Sequence, residues 1–164
     1  MDSPATPQER IDAWKKNWNK SPFIRAQGLE VEETGTGRVI VRLPQVRPDQ
    51  LGGGGTDNAL NKGVLNGGVI SYMFDGALGW AIMSALMGMP EAQRINPSDL
   101  RQFTINLDIT FLDAAMGSSF EAHGRIVRAS KTTAFAEGDF RDASGKICAT
   151  AKGIWRIFWP RNKE

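Results

Sequence analysis

Residues 67–86 read GGVISYMFDGALGWAIMSAL, and how this stretch is read decides the fold. It is apolar on nearly every side at helical spacing, which predicts a helix from Gly67 to about Leu86 that is covered all round. A span of lipid could cover it. Asp75 argues against that reading, because an acid at a helix centre costs about 2.5–3.5 kcal/mol to insert, and the glycines with Ser71 and Ser84 lower the apolar total further. The helix is therefore expected inside a folded domain, with no membrane span. Its small residues Gly68, Ser71, Gly76, Ala77, Gly79 and Ala81 are poor helix formers, each glycine costing roughly 1 kcal/mol relative to alanine, and are tolerable where another backbone approaches closely. Between Lys62 and Glu91, Asp75 is the one charged side chain. A buried carboxylate needs a compensating partner or a task.

Downstream of the helix the period changes from helical to alternating. The run QFTINLDITFL, residues 102–112, places Phe103, Ile105, Leu107, Ile109 and Phe111 on one face and Thr104, Asn106, Asp108 and Thr110 on the other. Three further strands follow, in SFEAHGRIVRA, TTAFAEGDFRD and KICATAKGIWRIFW, with DASG turning between the last two. The connections are too short for parallel crossovers, so an antiparallel meander of these four strands is expected. Upstream, GLEVEE and RVIVRL flank TGTG and predict a hairpin with one wet face. Gln8 to Asn19 carry Ile11, Trp14 and Trp18 at helical spacing and predict a short amphipathic helix. The fold class is α+β: a long central helix wrapped by a five- to six-stranded antiparallel sheet, with residues 1–20 as a helical extension and 21–160 as the main domain.

The loop from Pro44 to Lys62 is too long for a plain connector and is expected to act as a lid or binding loop. It has no phosphate-loop motif, since neither GxxxxGK[ST] nor GxGxxG occurs in it.

A chain of 164 residues with 41% apolar and 23% charged side chains has the composition of one globular domain. A net charge of +2 offers no broad attraction to nucleic acid, so no nucleic-acid partner is expected. The single cysteine, Cys148, excludes an internal disulfide, and the start MDSPATPQER lacks the apolar core of a secretory signal. A cytoplasmic location is expected.

The segment from Gly63 to Gly79 resembles the helix-start motif of the PaaI-like acyl-CoA thioesterases of the hot-dog fold superfamily. That motif runs Asn-x-x-Gly-x-x-His-Gly-Gly, with an acid nine residues after the His. Gly63, Gly67, Gly68 and Asp75 stand at the matching places. Asn66 replaces the family His, and Asn61 lies five residues before it rather than six. A weaker likeness extends from about Phe23 to Phe158. The resemblance implies a hot-dog fold and hydrolysis of an acyl-CoA thioester to a carboxylic acid and coenzyme A. It further implies a homodimer or homotetramer in which the oxyanion site belongs to one subunit and the acid to another. Coenzyme A is part of the substrate, and no metal or other cofactor is expected.

The same chemistry follows from the residues. Free N–H groups at a helix start, aided by the helix dipole, can stabilise the charge that grows on a thioester carbonyl. Gly67 and Gly68 leave that backbone open to a ligand, and Asn66 can donate a hydrogen bond but carries no proton at neutral pH. Asp75 is the candidate base or nucleophile. Eight residues of helix put it about 12 Å from Gly67, too far for both to serve one carbonyl within a single chain. A two-fold dimer with paired helices supplies the missing half.

Further candidates are substrate contacts: Gly68 and Asn61 near the helix start, Phe74, Trp80 and Met83 lining an acyl pocket, and Arg128, Ser130 and Lys131 at a turn. In the family that turn meets the nucleotide or pyrophosphate of coenzyme A, and basic side chains can pair with phosphates there. Blander roles compete. Asn66 also suits an N-cap, the glycines also suit close packing, and Asp75 could be a structural acid. His123 shares a strand face with Glu121 and Arg125 and reads as a surface residue. Neither Cys148 nor the hydroxyls of Ser71 and Ser84 has a base at recognisable spacing. No metal site can be assembled around a single histidine. Two rivals to the thioesterase stand: a non-catalytic acyl-CoA-binding or ligand-sensing protein, and a dehydratase, whose chemistry wants a His paired with an acid.

Overall fold

The computed structural model describes residues 5–52 and 63–160. Asn61 and the second half of the long glycine-rich loop lie outside that range. Three helices, α1 (Pro7–Lys15), α2 (Pro22–Ala26) and α3 (Gly67–Met87), accompany six strands. The strands are β1 (Glu30–Gly35), β2 (Arg38–Leu43), β3 (Arg101–Phe111), β4 (Phe120–Ala129), β5 (Thr133–Asp142) and β6 (Ile147–Phe158). All pair antiparallel in one sheet of order β1-β2-β4-β5-β6-β3.

The central helix spans Gly67–Met87, with Asn66 as its N-cap, as its apolar pattern requires. It is long and apolar enough to cross a membrane, but the sheet covers it: Met73, Phe74, Ala77, Leu78, Ala81, Ile82 and Leu86 are fully buried. Its closest approach is to β4. A Cβ on Gly124 would lie 2.4 Å from the Ala77 carbonyl oxygen, so only a glycine permits this spacing.

The order of strands departs from a four-strand meander. β4, β5 and β6 do follow one another, but β3 pairs with β6, and β4 pairs with β2. The segment between Phe111 and Phe120 crosses over, which joins the N-terminal hairpin to the sheet and leaves β3 at an edge.

The alternation along β3 also breaks. The register slips between Thr104 and Asn106, leaving Ile105 as an extra residue in a bulge. Gln102 and Thr104 pair with the buried Ile157 and Trp155 and so share the helix-facing side. Beyond the bulge it is Leu107, Ile109 and Phe111 that share that side, through Gly153, Ala151 and Ala149. Phe103 points to the outer face and meets Phe158 at 5.7 Å between ring centroids.

The first helix is shorter than the pattern from Gln8 to Asn19 suggests. Thr6 and Glu9 form a capping box, but α1 stops at Lys15 and Trp18 opens a separate turn. Asn19 explains the break, since its amide exchanges two hydrogen bonds with the Val31 backbone, at 2.9 and 2.6 Å, and so serves β1. Trp14, Trp18, Trp80, Phe23 and Tyr72 form a continuous aromatic cluster that seats the N-terminal segment against α3.

Candidate active site

Asn66 is the N-cap of α3, and its Oδ1 accepts from the Gly68 N–H at 2.7 Å. The next two free amides, of Val69 and Ile70, turn back onto the Asn66 carbonyl. The Gly67 N–H alone among these has no acceptor among the described residues, and it is the donor left for a ligand. Phe111 from β3 closes over it, its ring 3.3 Å from where a Gly67 Cβ would stand. A cavity of about 390 Å³ opens here, lined by Val64, Leu65, Gly67, Ile70, Phe111 and Leu112, with an apolar wall suited to an acyl group.

The helix start is held in place by a residue with no periodic signal in the sequence. Gln50 is 1% exposed; its backbone carbonyl accepts from the Asn66 N–H at 2.9 Å. Its side chain donates to the Gln27 carbonyl at 2.8 Å and accepts from the Arg47 N–H at 2.9 Å. A glutamine in a glycine-rich loop gives no sequence cue to such burial.

Two turns along the helix, Asp75 is half-buried and not part of the closed core. Its Oδ1 accepts a hydrogen bond from Thr104 Oγ1 at 2.7 Å. Thr104 reaches the acid because the bulge keeps it on the helix-facing side of the edge strand. An alternating strand pattern marks it only as polar. Tyr72, one turn before Asp75, donates its hydroxyl to the Phe23 carbonyl at 2.9 Å. Burial first, and the Asp75 carboxylate second, push its phenol above the ordinary tyrosine range.

The remaining candidates separate. Phe74 is fully buried and packs on Phe140, and Met83 is 6% exposed, so both belong to the core and neither lines the cavity at Gly67. Trp80 is wedged between Trp18 and Phe23. Arg128, Ser130 and Lys131 lie at the β4–β5 turn, where Ser130 Oγ donates to the Thr133 carbonyl and Lys131 pairs with Glu91 at 3.3 Å. Glu91 follows the C-terminal end of α3, about 30 Å along the helix axis from Gly67. Next to this turn a second cavity, of about 470 Å³, is lined by Arg94, Lys131, Arg156, Phe158 and Trp159.

A further cavity, of about 640 Å³, lies elsewhere, on the outer face of the sheet, lined in part by Arg38, His123, Arg125, Glu137, Asp139 and Lys152. Its charges neutralise one another in pairs such as Arg125–Glu137 and Arg141–Asp139. His123 is bonded to Glu121 at 2.7 Å on this outer face, across the sheet from α3. This face holds no nucleophile beside a helix start, and the size of the hollow does not outweigh that. Cys148 is fully buried, and burial raises its thiol above the ordinary range. Among the described residues no three His, Cys, Asp or Glu side chains come together as metal ligands would.

Comparison with known proteins agrees with the fold. A family model described as the thioesterase superfamily matches residues 62–149, more than half of the chain. A presumptive esterase of Saccharolobus solfataricus is 28% identical over 157 residues, covering 96% of this chain and 94% of the relative. One from Halobacterium salinarum is 28% identical over 137 residues, covering 80% and 81%. Among solved structures, the Escherichia coli PaaI protein of the phenylacetic acid degradation operon superposes with a TM-score of 0.70 at 15% identity, covering 94% of this chain and 97% of that one. A hypothetical thioesterase of Streptococcus pneumoniae, crystallised with coenzyme A, gives 0.66 at 19% identity, covering 90% and 98%. The long helix, the wrapped six-stranded sheet and the matched segment together place this chain in the thioesterase superfamily, with the hot-dog fold.

Proposed function

We propose that the protein is an acyl-CoA thioesterase working as a homodimer or a larger homo-oligomer. The observation that carries this reading is the pairing of an open Gly67 amide beside an apolar cavity with a half-buried Asp75 carboxylate oriented by Thr104. In one chain the two stand about 12 Å apart along α3, so the acid at each site comes from the partner. The eleven-residue edge strand β3, which carries Thr104, is the natural seam, since one side of its backbone has no strand neighbour among the described residues.

With the thioester carbonyl oxygen on the Gly67 N–H, the partner's Asp75 takes a proton from water as the water oxygen adds to the carbonyl carbon. The tetrahedral oxyanion collapses, the C–S bond breaks, and the coenzyme A thiolate takes the proton back from Asp75. Direct attack by the carboxylate would instead form a mixed anhydride, which water then opens. A single turnover in heavy-oxygen water distinguishes the two, since only the anhydride route can leave label in the Asp75 carboxylate. The cationic turn around Lys131, with Arg94 and Arg156, suits the phosphates of coenzyme A. It too lies at the wrong end of its own helix and would serve a site completed by another subunit.

The test is turnover of a panel of acyl-CoA thioesters by the wild type and Asp75→Asn. Hydrolysis by the wild type alone, with binding kept in the variant, supports the reading. Binding without turnover in either form establishes a ligand-sensing protein instead. That reading draws on Asn66, which spends its side-chain oxygen on capping and cannot move a proton.

A further inference from the structure

The sheet has two edges, β1 and β3, and they are finished differently. β3 is eleven residues long, and its outer side meets no strand among the described residues. β1 is six residues long and irregular at its end, where the register shifts between Glu33 and Gly35. In an antiparallel strand the backbone groups that face away from the neighbour recur at every second residue, and an uncovered row of them is a template for another strand.

Along β1 the N-terminal segment of the same chain answers that row. Just before the strand, the Leu29 N–H donates to the Ile24 carbonyl at 3.0 Å. At Val31 the Asn19 side chain stands where a neighbouring strand would. Its Nδ2 donates to the Val31 carbonyl at 2.9 Å, and its Oδ1 accepts from the Val31 N–H at 2.6 Å. A primary amide offers both a donor and an acceptor, as the peptide group of an added strand does. Glu33 is finished by its side chain instead. It pairs with the buried Val39 and so shares the helix-facing side, where its carboxylate accepts from Lys15 Nζ at 2.6 and 2.8 Å and from the hydroxyl of the fully buried Ser84. Ser84 Oγ in turn accepts from the Gly37 N–H at 2.7 Å. A strand with a charge on its inner side is a poor template, since a strand added alongside would desolvate that charge further. Lys15, Asn19 and Ile24 thus meet Glu33, Val31 and Leu29 in reverse order, so the segment runs beside β1 in the place of a seventh strand without being one.

We propose that the segment from Lys15 to Ile24, through the Asn19 amide, bars the β1 edge to a second copy of this chain and confines strand-to-strand joining of copies to β3. The bar rests on the sheet itself. Only the use of β3 draws on the assembly proposed for hydrolysis.

The test follows sedimentation of the wild type and Asn19→Ala over a wide range of protein concentration, with native-state hydrogen exchange read at the Val31 amide. The wild type is expected to keep a finite size and a slowly exchanging Val31 amide. Asn19→Ala is expected to keep the native circular dichroism and, when dilute, to exchange at Val31 about tenfold or more faster. As its concentration rises it should form species larger than any of the wild type, with Val31 protected again as they form. That renewed protection separates strand addition from aggregation of unfolded chains, in which the amide stays open.

An unchanged size in folded Asn19→Ala at every concentration overturns the proposal, as does growth that leaves Val31 unprotected. If the variant does not fold, the wild type alone still decides: a Val31 amide exchanging as fast as in an unstructured peptide overturns the bar. A monomeric wild type would overturn the hydrolytic assembly and leave the bar standing, since Asn19→Ala would still join through β1.

Discussion

Thr104 Oγ1 donates to Asp75 Oδ1 at 2.7 Å, which ties the central helix to the edge strand through the one acid on the helix. If Thr104 orients the carboxylate, Thr104→Val keeps the shape and removes the hydroxyl. The expected result is a kcat reduced roughly tenfold with KM little changed, against a loss of roughly 10²–10⁴ for Asp75→Asn. Steady-state kinetics on one thioester separates these outcomes, and equal rates for Thr104→Val and wild type would remove Thr104 from the site.

Gly67 tests the oxyanion donor. In Gly67→Ala the new methyl meets the Phe111 ring at 3.3 Å, at the spot a thioester oxygen must approach. A kcat/KM lower by 10²-fold or more is expected, the scale of losing one oxyanion donor, with thermal stability nearly unchanged because alanine favours helix. Asn66→Ala should behave in the opposite way. It removes a cap worth about 1 kcal/mol, so the melting temperature falls while turnover persists.

Gly124 has a structural part to play. Any side chain there drives a Cβ to 2.4 Å from the Ala77 carbonyl oxygen, backbone against backbone. Gly124→Val is expected to abolish folding or to lower the denaturation midpoint severely, as followed by circular dichroism in urea.

The assembly carries its own test. A lysine placed at Ile105, 60% exposed in the single chain, would put charge in the seam along β3. Ile105→Lys should shift sedimentation toward monomer and reduce activity in parallel, with dilution of the wild type reproducing the effect. Full activity in a sedimentation-proven monomer would exclude an acid supplied by the partner.

Cys148 should stay protonated and unmodified by an alkylating reagent near neutral pH, because burial raises its thiol and no path reaches it. Mass spectrometry before and after denaturation checks this: label is expected only in the unfolded chain.

The central helix was legible because one long apolar run can be covered only by a sheet or by lipid, and Asp75 with the glycines decided between them. The candidate acid stood out for the same reason, a lone charge in an apolar segment. Strand neighbours were less accessible: nothing in residues 102–112 shows that β3 pairs with β6 rather than β4, since that depends on where the crossover lands. The perfect alternation of that run was misleading, because the bulge at Ile105 reverses its faces midway. Gln50, Thr104 and Gln102 escaped notice because a polar side chain gains its role only from the backbone group opposite it. Phe74 and Met83, apolar and close to the acid in sequence, are buried in the core and line no part of the cavity at Gly67.

The bulge in β3 has an outcome for how this chain can change over generations. Ile105 is the residue without a partner, between Thr104 opposite Trp155 and Asn106 opposite Ile154, so deleting it would leave Gln102, Thr104, Leu107 and Ile109 on the helix-facing side in plain alternation. Removing a paired neighbour such as Phe103 would instead turn Gln102 outward relative to Thr104. Variation among this chain's descendants should therefore be tolerant of both spelling and length at position 105 and intolerant of length at the paired positions beside it.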